Sequence, residues 1–182
     1  MKHLSYEEIK ARLPFISASP KDKAALDLIV IRPKENERKV LQEGMLSTTD
    51  GLEGDMWKGR PSSRTPDKSA HPDMQLNIMN SRIIDVIAQE KERWQLAGDQ
   101  LFVDLDLSKE NLPAGTQLKV GDAIIEVTAQ PHLGCKKFVS RFGLDAMKFV
   151  NSEIGKKHQL RGINAKVIKS GKIKLGDLME RI

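Results

Sequence analysis

The sequence has one cysteine in 182 residues. A single thiol cannot form an internal disulfide, and it excludes a zinc site built from several cysteines. Cysteine usage therefore gives no reason to place the chain in an oxidising compartment. Aromatic residues are scarce, at 4%, which argues against a stacking platform for single-stranded nucleic acid. No apolar run approaches the ~18 residues that a membrane-spanning helix needs. The opening stretch MKHLSYEEIKARLPF interrupts every short apolar run with a charge, which is not the pattern of a secretory signal. Together these absences describe a soluble, cytoplasmic protein with no membrane attachment. The length suits one domain, since a chain of ~150 residues buries roughly two-thirds of the surface it exposes when unfolded.

Basic charge is present, and it is unevenly placed. The formal net charge is +5, yet residues 132–175 hold 11 Lys and Arg against 2 Asp and Glu. The remainder carries 19 basic and 23 acidic residues. A basic C-terminal third suggests an anionic ligand, either a phosphorylated small molecule or nucleic acid. A solvated basic face gives the same count.

The hydrophobic pattern predicts many short strands and a few small helices. LSYEEIKARLPF reads as a helix with Ser5 as its N-cap and a stop before Pro14. ISASPKDK is a polar linker, so residues 1–24 stand as a helix and linker ahead of a domain over 25–182. ALDLIVIRP has the unbroken apolar run of a buried strand, and ERKVLQEGMLS continues as a second. Residues 50–73 are rich in Gly, Pro, Ser and Asp with no periodicity. A loop of that length is usually functional or disordered, or else it only connects. MQLNIMN alternates as a strand, and Asn80 can cap a helix through SRIIDVIAQEKERW. DQLFVDLDL is a further strand, and LPAGTQLKVGDAIIEVTAQ reads as two strands about Gly121-Asp122. LDAMKFVNSEIG fits a short helix ended by Gly155. RGINAKVIKSGKIKLGDLMERI closes the chain as strands, with a hairpin turn at Ser170-Gly171 and a second turn at Gly176-Asp177. The βαβ rhythm of a doubly wound sheet is missing. The fold class is mainly β with a few short helices, a largely antiparallel barrel or sandwich.

Three stretches carry candidate chemistry. The first is PHLGCKKF, where Gly134 precedes Cys135, Lys136 and Lys137 follow it, and Arg141 is close. Cationic neighbours favour the thiolate, the form that attacks electrophiles and binds soft metals, whereas a buried lone Cys is often only a small hydrophobe. His132 could orient or deprotonate the thiol, or point elsewhere. The second is DGLEGDMWKGR, whose glycine-rich backbone could cradle an anion although it lacks the P-loop ending. His71 and Asp73 follow as hydrogen-bonding groups at a site rim. The third is QLRGINAKV, where Arg161 could fork onto a phosphate or form an ordinary ion pair. Lys166, Lys169, Lys172 and Lys174 read as a solvated face.

Four stretches, taken in order, resemble the MOSC domain, the fold named after the C-terminal domain of molybdenum-cofactor sulfurases. They are DGLEGD, MQLNIMN, LPAGTQLKVGDAIIEVTAQPHLGCKKF and LRGINAKVIKSGKIKLGD, and they span roughly residues 25–178. The resemblance implies a β-barrel-like fold and singles out Cys135, either as a direct ligand of molybdenum in a pterin cofactor or as a carrier of persulfide sulfur. It further implies that Lys58, Arg60, Arg64, His71, Lys136, Lys137, Arg141 and Arg161 are partners of the cofactor, the molybdenum cofactor or molybdopterin. The first reading is a molybdenum-cofactor-binding protein that reduces small N-hydroxylated substrates with electrons from a separate donor protein. The second is a sulfur carrier fed by a sulfur donor protein. The third is a non-enzymatic basic module for an anionic partner, with nucleic acid disfavoured by the few aromatics.

Overall fold

The computed structural model describes residues 2–182. Its strands are β1 (Ala24–Ile31), β2 (Lys39–Leu41), β3 (Glu43–Ser47), β4 (Gly51–Leu52), β5 (Leu76–Asn80), β6 (Leu101–Val103), β7 (Gln117–Val120), β8 (Ala123–Val127), β9 (Ile163–Lys169), β10 (Gly171–Lys174) and β11 (Leu178–Arg181). Seven of them close a barrel in the order β11-β7-β8-β9-β5-β6-β1, because β1 pairs back onto β11 through Ala24↔Met179 and Ala25↔Leu178. The β5–β6 pair is parallel and every other barrel pair is antiparallel. A parallel pair needs a crossover, supplied here by α3 (Ser81–Ala88) and a 3-10 segment over Lys91–Ala97. β2 extends the sheet beyond β1, while β10, β3 and β4 form a small separate sheet.

Two apolar clusters account for the pattern. One fills the barrel with Leu26, Ile29, Ile31, Leu76, Ile78, Leu101 and Val103 among others. The other lies outside it, where Leu28, Val30, Met79 and Phe102 meet the helices. β1, β5 and β6 are thus buried on both faces, which is why LDLIVI is nearly continuously apolar rather than alternating. A register shift between Leu26 and Leu28 puts Leu26 and Ile29 in the same cluster. The helical layer comprises α3 with α1 (Tyr6–Lys10), α2 (Leu13–Ser17), α4 (Lys136–Phe142), α5 (Leu144–Asn151) and α6 (Glu153–Lys157). Among the described residues no helix is long and apolar enough to cross a membrane.

Several local expectations change in the structure. Ser5 caps α1 in a capping box with Glu8, as the sequence implies. Pro14, however, sits in the first turn of α2, where its missing N–H costs nothing. The N-terminal segment packs on the helical layer, where Ile9 and Ile16 are buried and Tyr6 lies edge-on against Phe149 at 5.4 Å. ERKVLQEGMLS divides into β2 and β3 of different sheets. Asn80 caps α3 through the N–H groups of Arg82 and Ile83, but the helix stops early because Gln89 is left-handed. Gly155 lies inside α6 and ends nothing; a Cβ there would meet Phe149 O at 2.3 Å. Ser170-Gly171 is no hairpin turn, because β10 leaves β9 to pair with β3.

Candidate functional site

Cys135 is the N-cap of α4 and its thiol is exposed. Its carbonyl accepts from the N–H groups of Phe138 and Val139 at 2.9 and 3.0 Å, which fixes the start of the helix. The preceding peptide is clamped by Asn151, whose Oδ1 accepts from Gly134 N–H at 2.8 Å while its Nδ2 donates to Gly134 O at 3.0 Å. α5 packs closely on Gly134: a Cβ there would stand 3.1 Å from Met147 Cγ and 3.2 Å from Val150 Cγ2, so those side chains would have to give by a few tenths of an ångström. Backbone and helix packing therefore hold the sulfur in place while leaving it accessible.

Arg60 interacts electrostatically with this thiol, and further arginines neighbour Arg60. Arg32, at the end of β1, is buried and forks onto the fully buried Asp55, with Nε–Oδ2 and Nη2–Oδ1 both 2.8 Å. Its remaining nitrogen donates to Gly98 O at 2.9 Å and Asn77 Oδ1 at 3.2 Å. Gly98 has φ +88°, and a Cβ there would stand 3.5 Å from Arg38 Nη2 and 3.6 Å from Arg141 Nη1. Burial, then the neighbouring Arg141 and Arg32 cations, push the Arg38 guanidinium below its ordinary range. Partial desolvation and Arg32 do the same to Arg60, opposed by Asp55, the Cys135 sulfur and Glu35. Among the described residues no carboxylate lies within ion-pair distance of Arg38, Arg60 or Arg141. Arg38 Nε is also buried without a hydrogen-bond partner. Crowded cations with no counter-ion favour an anion among them.

The long loop forms a cavity of about 250 Å³ against the barrel end. Arg60, Arg64 and His71 line it together with Arg32, Trp57 and Asn77. His71 Nδ1 accepts from Asp73 N–H at 3.2 Å, which leaves Nε2 as the remaining polar ring atom. Asn77 Nδ2 donates to Asn164 Oδ1 at 2.6 Å, tying β5 to β9 beneath the cavity. The other sequence candidates lie elsewhere. Lys58 is exposed and paired with Asp50 at 2.6 Å, Lys137 with Glu35 at 2.6 Å, and Lys136 is exposed beside the thiol. Arg141 donates to Leu96 O at 2.7 Å.

His132 and Arg161 meet on a different group. Asp99 is fully buried and receives Arg161 Nη1 at 2.7 Å on one oxygen and His132 Nε2 at 2.8 Å on the other. Arg161 also donates to Ala97 O at 3.0 Å and stands over the Phe138 ring at 4.8 Å. Arg161 is thus a structural cation rather than one open to a phosphate. His132 turns to Asp99 and makes no hydrogen bond with Cys135. Burial and Arg161 hold the imidazole below its ordinary range, although Asp99 opposes them. Burial would raise the Asp99 carboxyl, but Arg161 and His132 outweigh it and hold it at about 2.

Arg32, Arg38, Asp55, Asp99 and Asn151 are the residues that sequence reasoning misses. One sign was readable: a cation closing an apolar strand in IVIRP needs a buried partner. The MOSC domain model matches residues 65–180. Among solved structures, YuaD protein from Bacillus subtilis is similar with a TM-score of 0.66 and 15% identity, over 87% of this chain and 95% of that one. YiiM from Escherichia coli is similar with a TM-score of 0.56 and 24% identity, over 87% of this chain and 69% of that one. A comparison with curated proteins returns no match.

Proposed function

The chain belongs to the MOSC domain family, known for molybdenum-cofactor binding, and from that premise we propose that it holds a pterin-borne molybdenum with Cys135 as the metal's protein ligand. The observation that carries this reading is an exposed thiol near Arg60, which has no ion-pair partner and stands in a group of arginines. Among the described residues no three His, Cys, Asp or Glu side chains are grouped to hold a metal ion. A bare ion would find no cage here, whereas a metal that brings its own organic sulfur ligands needs one further soft donor. Arg38, Arg60 and Arg141 suit the anionic end of such a group, and the orphaned Arg38 Nε suits one of its acceptor atoms. Arg64 and His71 in the loop cavity suit its polar rim. When bound, the group supplies two-electron chemistry for reducing small N-hydroxylated compounds, with electrons from a separate donor protein. The chain's own residues orient the group, neutralise its charge and hold the thiol at a fixed place.

Exposure of Cys135 favours one second reading, sulfur carriage. In it, the Cys135 sulfur takes one sulfur atom from a donor protein's persulfide as the donor's S–S bond breaks, and Lys136 steadies the product. Elemental analysis of protein purified anaerobically from a host that makes the cofactor separates the two. Near-stoichiometric molybdenum in the wild type and little in Cys135→Ser is the expected result. No molybdenum in either overturns the cofactor reading; an extra sulfur in the intact mass, removed by a thiol reductant, then supports the carrier. Arg38→Glu should weaken retention of the group by about tenfold or more while leaving the fold intact, since it removes a charge-assisted contact of roughly 1.5–3 kcal/mol.

A further inference from the structure

A second and larger cavity, about 450 Å³, shares no lining residue with the loop cavity. It is bounded by the segment after β8, the chain before β7, and α6. Its volume lies within the range of small-molecule sites, roughly 300–1,000 Å³. Leu112, Val127, Leu133 and Val150 give it apolar walls. No Asp or Glu lines it, but Lys109, Lys156, His132 and Arg161 do. Among the described residues neither Lys109 nor Lys156 has a carboxylate within ion-pair distance. The wall segment 129–133 belongs to no helix or strand. Its Ala129, Gln130, His132 and Leu133 N–H groups donate no main-chain hydrogen bond, which leaves them to solvent or to a ligand. Asp99, behind this wall, is occupied by Arg161 and His132 and offers no free negative charge.

We propose that this cavity is a binding site for a small organic acid, a single carboxylate carried on an apolar body, and that it is separate from the arginine-lined loop cavity. The carboxylate would meet Lys109, Lys156 and the free N–H groups, and the body would lie on the apolar walls. The proposal does not depend on molybdenum.

The test is calorimetric titration of the full chain with 1-naphthoate and with neutral 1-naphthamide. We expect saturable one-to-one binding of the acid and about tenfold weaker binding of the amide, the worth of one charge-assisted contact. Ala129→Trp, at an exposed wall position, should fill the cavity and abolish binding. Lys109→Glu combined with Lys156→Glu should weaken it by about tenfold or more. Cys135→Ser and Arg60→Glu should each change it by less than about twofold. Failure of the acid to saturate, or equal affinity for acid and amide, overturns the proposal. Loss of binding in Arg60→Glu with Ala129→Trp unaffected also overturns it, by moving the anion to the arginine cluster. Molybdenum content is read separately, so either reading can fail alone.

Discussion

At the scale of single residues, Asp99 governs the behaviour of its neighbours. Its carboxylate is fully buried and divided between Arg161 and His132. Removing one partner of a buried pair leaves the other charged and desolvated, so Arg161→Met should cost about 3–5 kcal/mol. Arg161→Met combined with Asp99→Leu should cost less than the two single changes together, because no lone charge then remains. Urea denaturation of the three variants checks this; strict additivity would show that the pair does not interact. His132 makes a second, pH-dependent prediction. Burial and Arg161 hold it below its ordinary range when folded, while the unfolded imidazole titrates near 6.5. As pH falls, the unfolded chain therefore takes up the proton first. The contribution of neutral His132 is full above about pH 6.5 and is lost as pH drops toward the folded value. Asp99, held at about 2, adds a separate contribution, present above its unfolded value of about 3.9 and lost as pH falls toward 2. Urea midpoints at about pH 7.5 and about pH 5 should thus differ in the wild type and nearly coincide in His132→Gln. An equal acid loss in that variant would assign the effect to another group.

At the scale of elements, the junctions between strands decide more than the strands. Gly162 leads into β9 with φ +110°, and a Cβ there would stand 2.3 Å from Ile78 O in β5. Since Ile78 pairs with Ile163, the carbonyl cannot withdraw without opening the barrel. Gly162→Ala should therefore cost about 3 kcal/mol or more, or prevent folding, from strain and clash together. Gly115, with φ +91° and nothing within 4 Å of its Cβ position, isolates the strain alone, and Gly115→Ala should cost about 1–2 kcal/mol. Equal losses in thermal unfolding would show that the close approach is not the cause. The same contrast explains what the sequence disclosed. β1, β5 and the β7–β8 hairpin carry local apolar patterns and turn residues, and these were readable. So were Cys135, by its uniqueness, and the long loop holding Arg60, Arg64 and His71, by its composition. The partnerships were not readable, because they join distant positions: Arg32 meets Asp55 across 23 residues, His132 meets Asp99 across 33, and Arg161 meets Asp99 across 62. Local spacing holds no record of which strand ends adjoin once a barrel closes. For the same reason Ser170-Gly171 resembled a hairpin turn until β10 was seen to pair with β3.

At the scale of the whole molecule, closure of the barrel links the chain's last strand to the site. Part of the uneven charge is neutralised by ion pairs: Lys166 pairs with Glu126 at 3.1 Å, Lys172 with Glu43 at 2.8 Å, and Lys137 with Glu35 at 2.6 Å. Arg38, Arg60 and Arg141 are among the cations that this pairing leaves over. Arg38 and Arg60 sit on loops and Arg141 on α4, around the ring of strands that carries Arg32 at the end of β1 and Asn77 on β5. β11 closes that ring by pairing with both β1 and β7, and Met179 is fully buried in the barrel. Deleting residues 178–182 would remove Met179 and leave β1 and β7 with unpaired edges, a template for association between chains. The truncated protein should elute as aggregates in gel filtration and bind a dye for exposed apolar surface; under the proposed cofactor reading it should also fail to retain molybdenum. Leu178→Ala, which removes an exposed side chain and keeps the backbone pairing, should change stability by less than about 0.5 kcal/mol and leave the protein monomeric. A monomeric truncated protein that elutes as the wild type and binds no such dye would show that the fold does not depend on closure by β11.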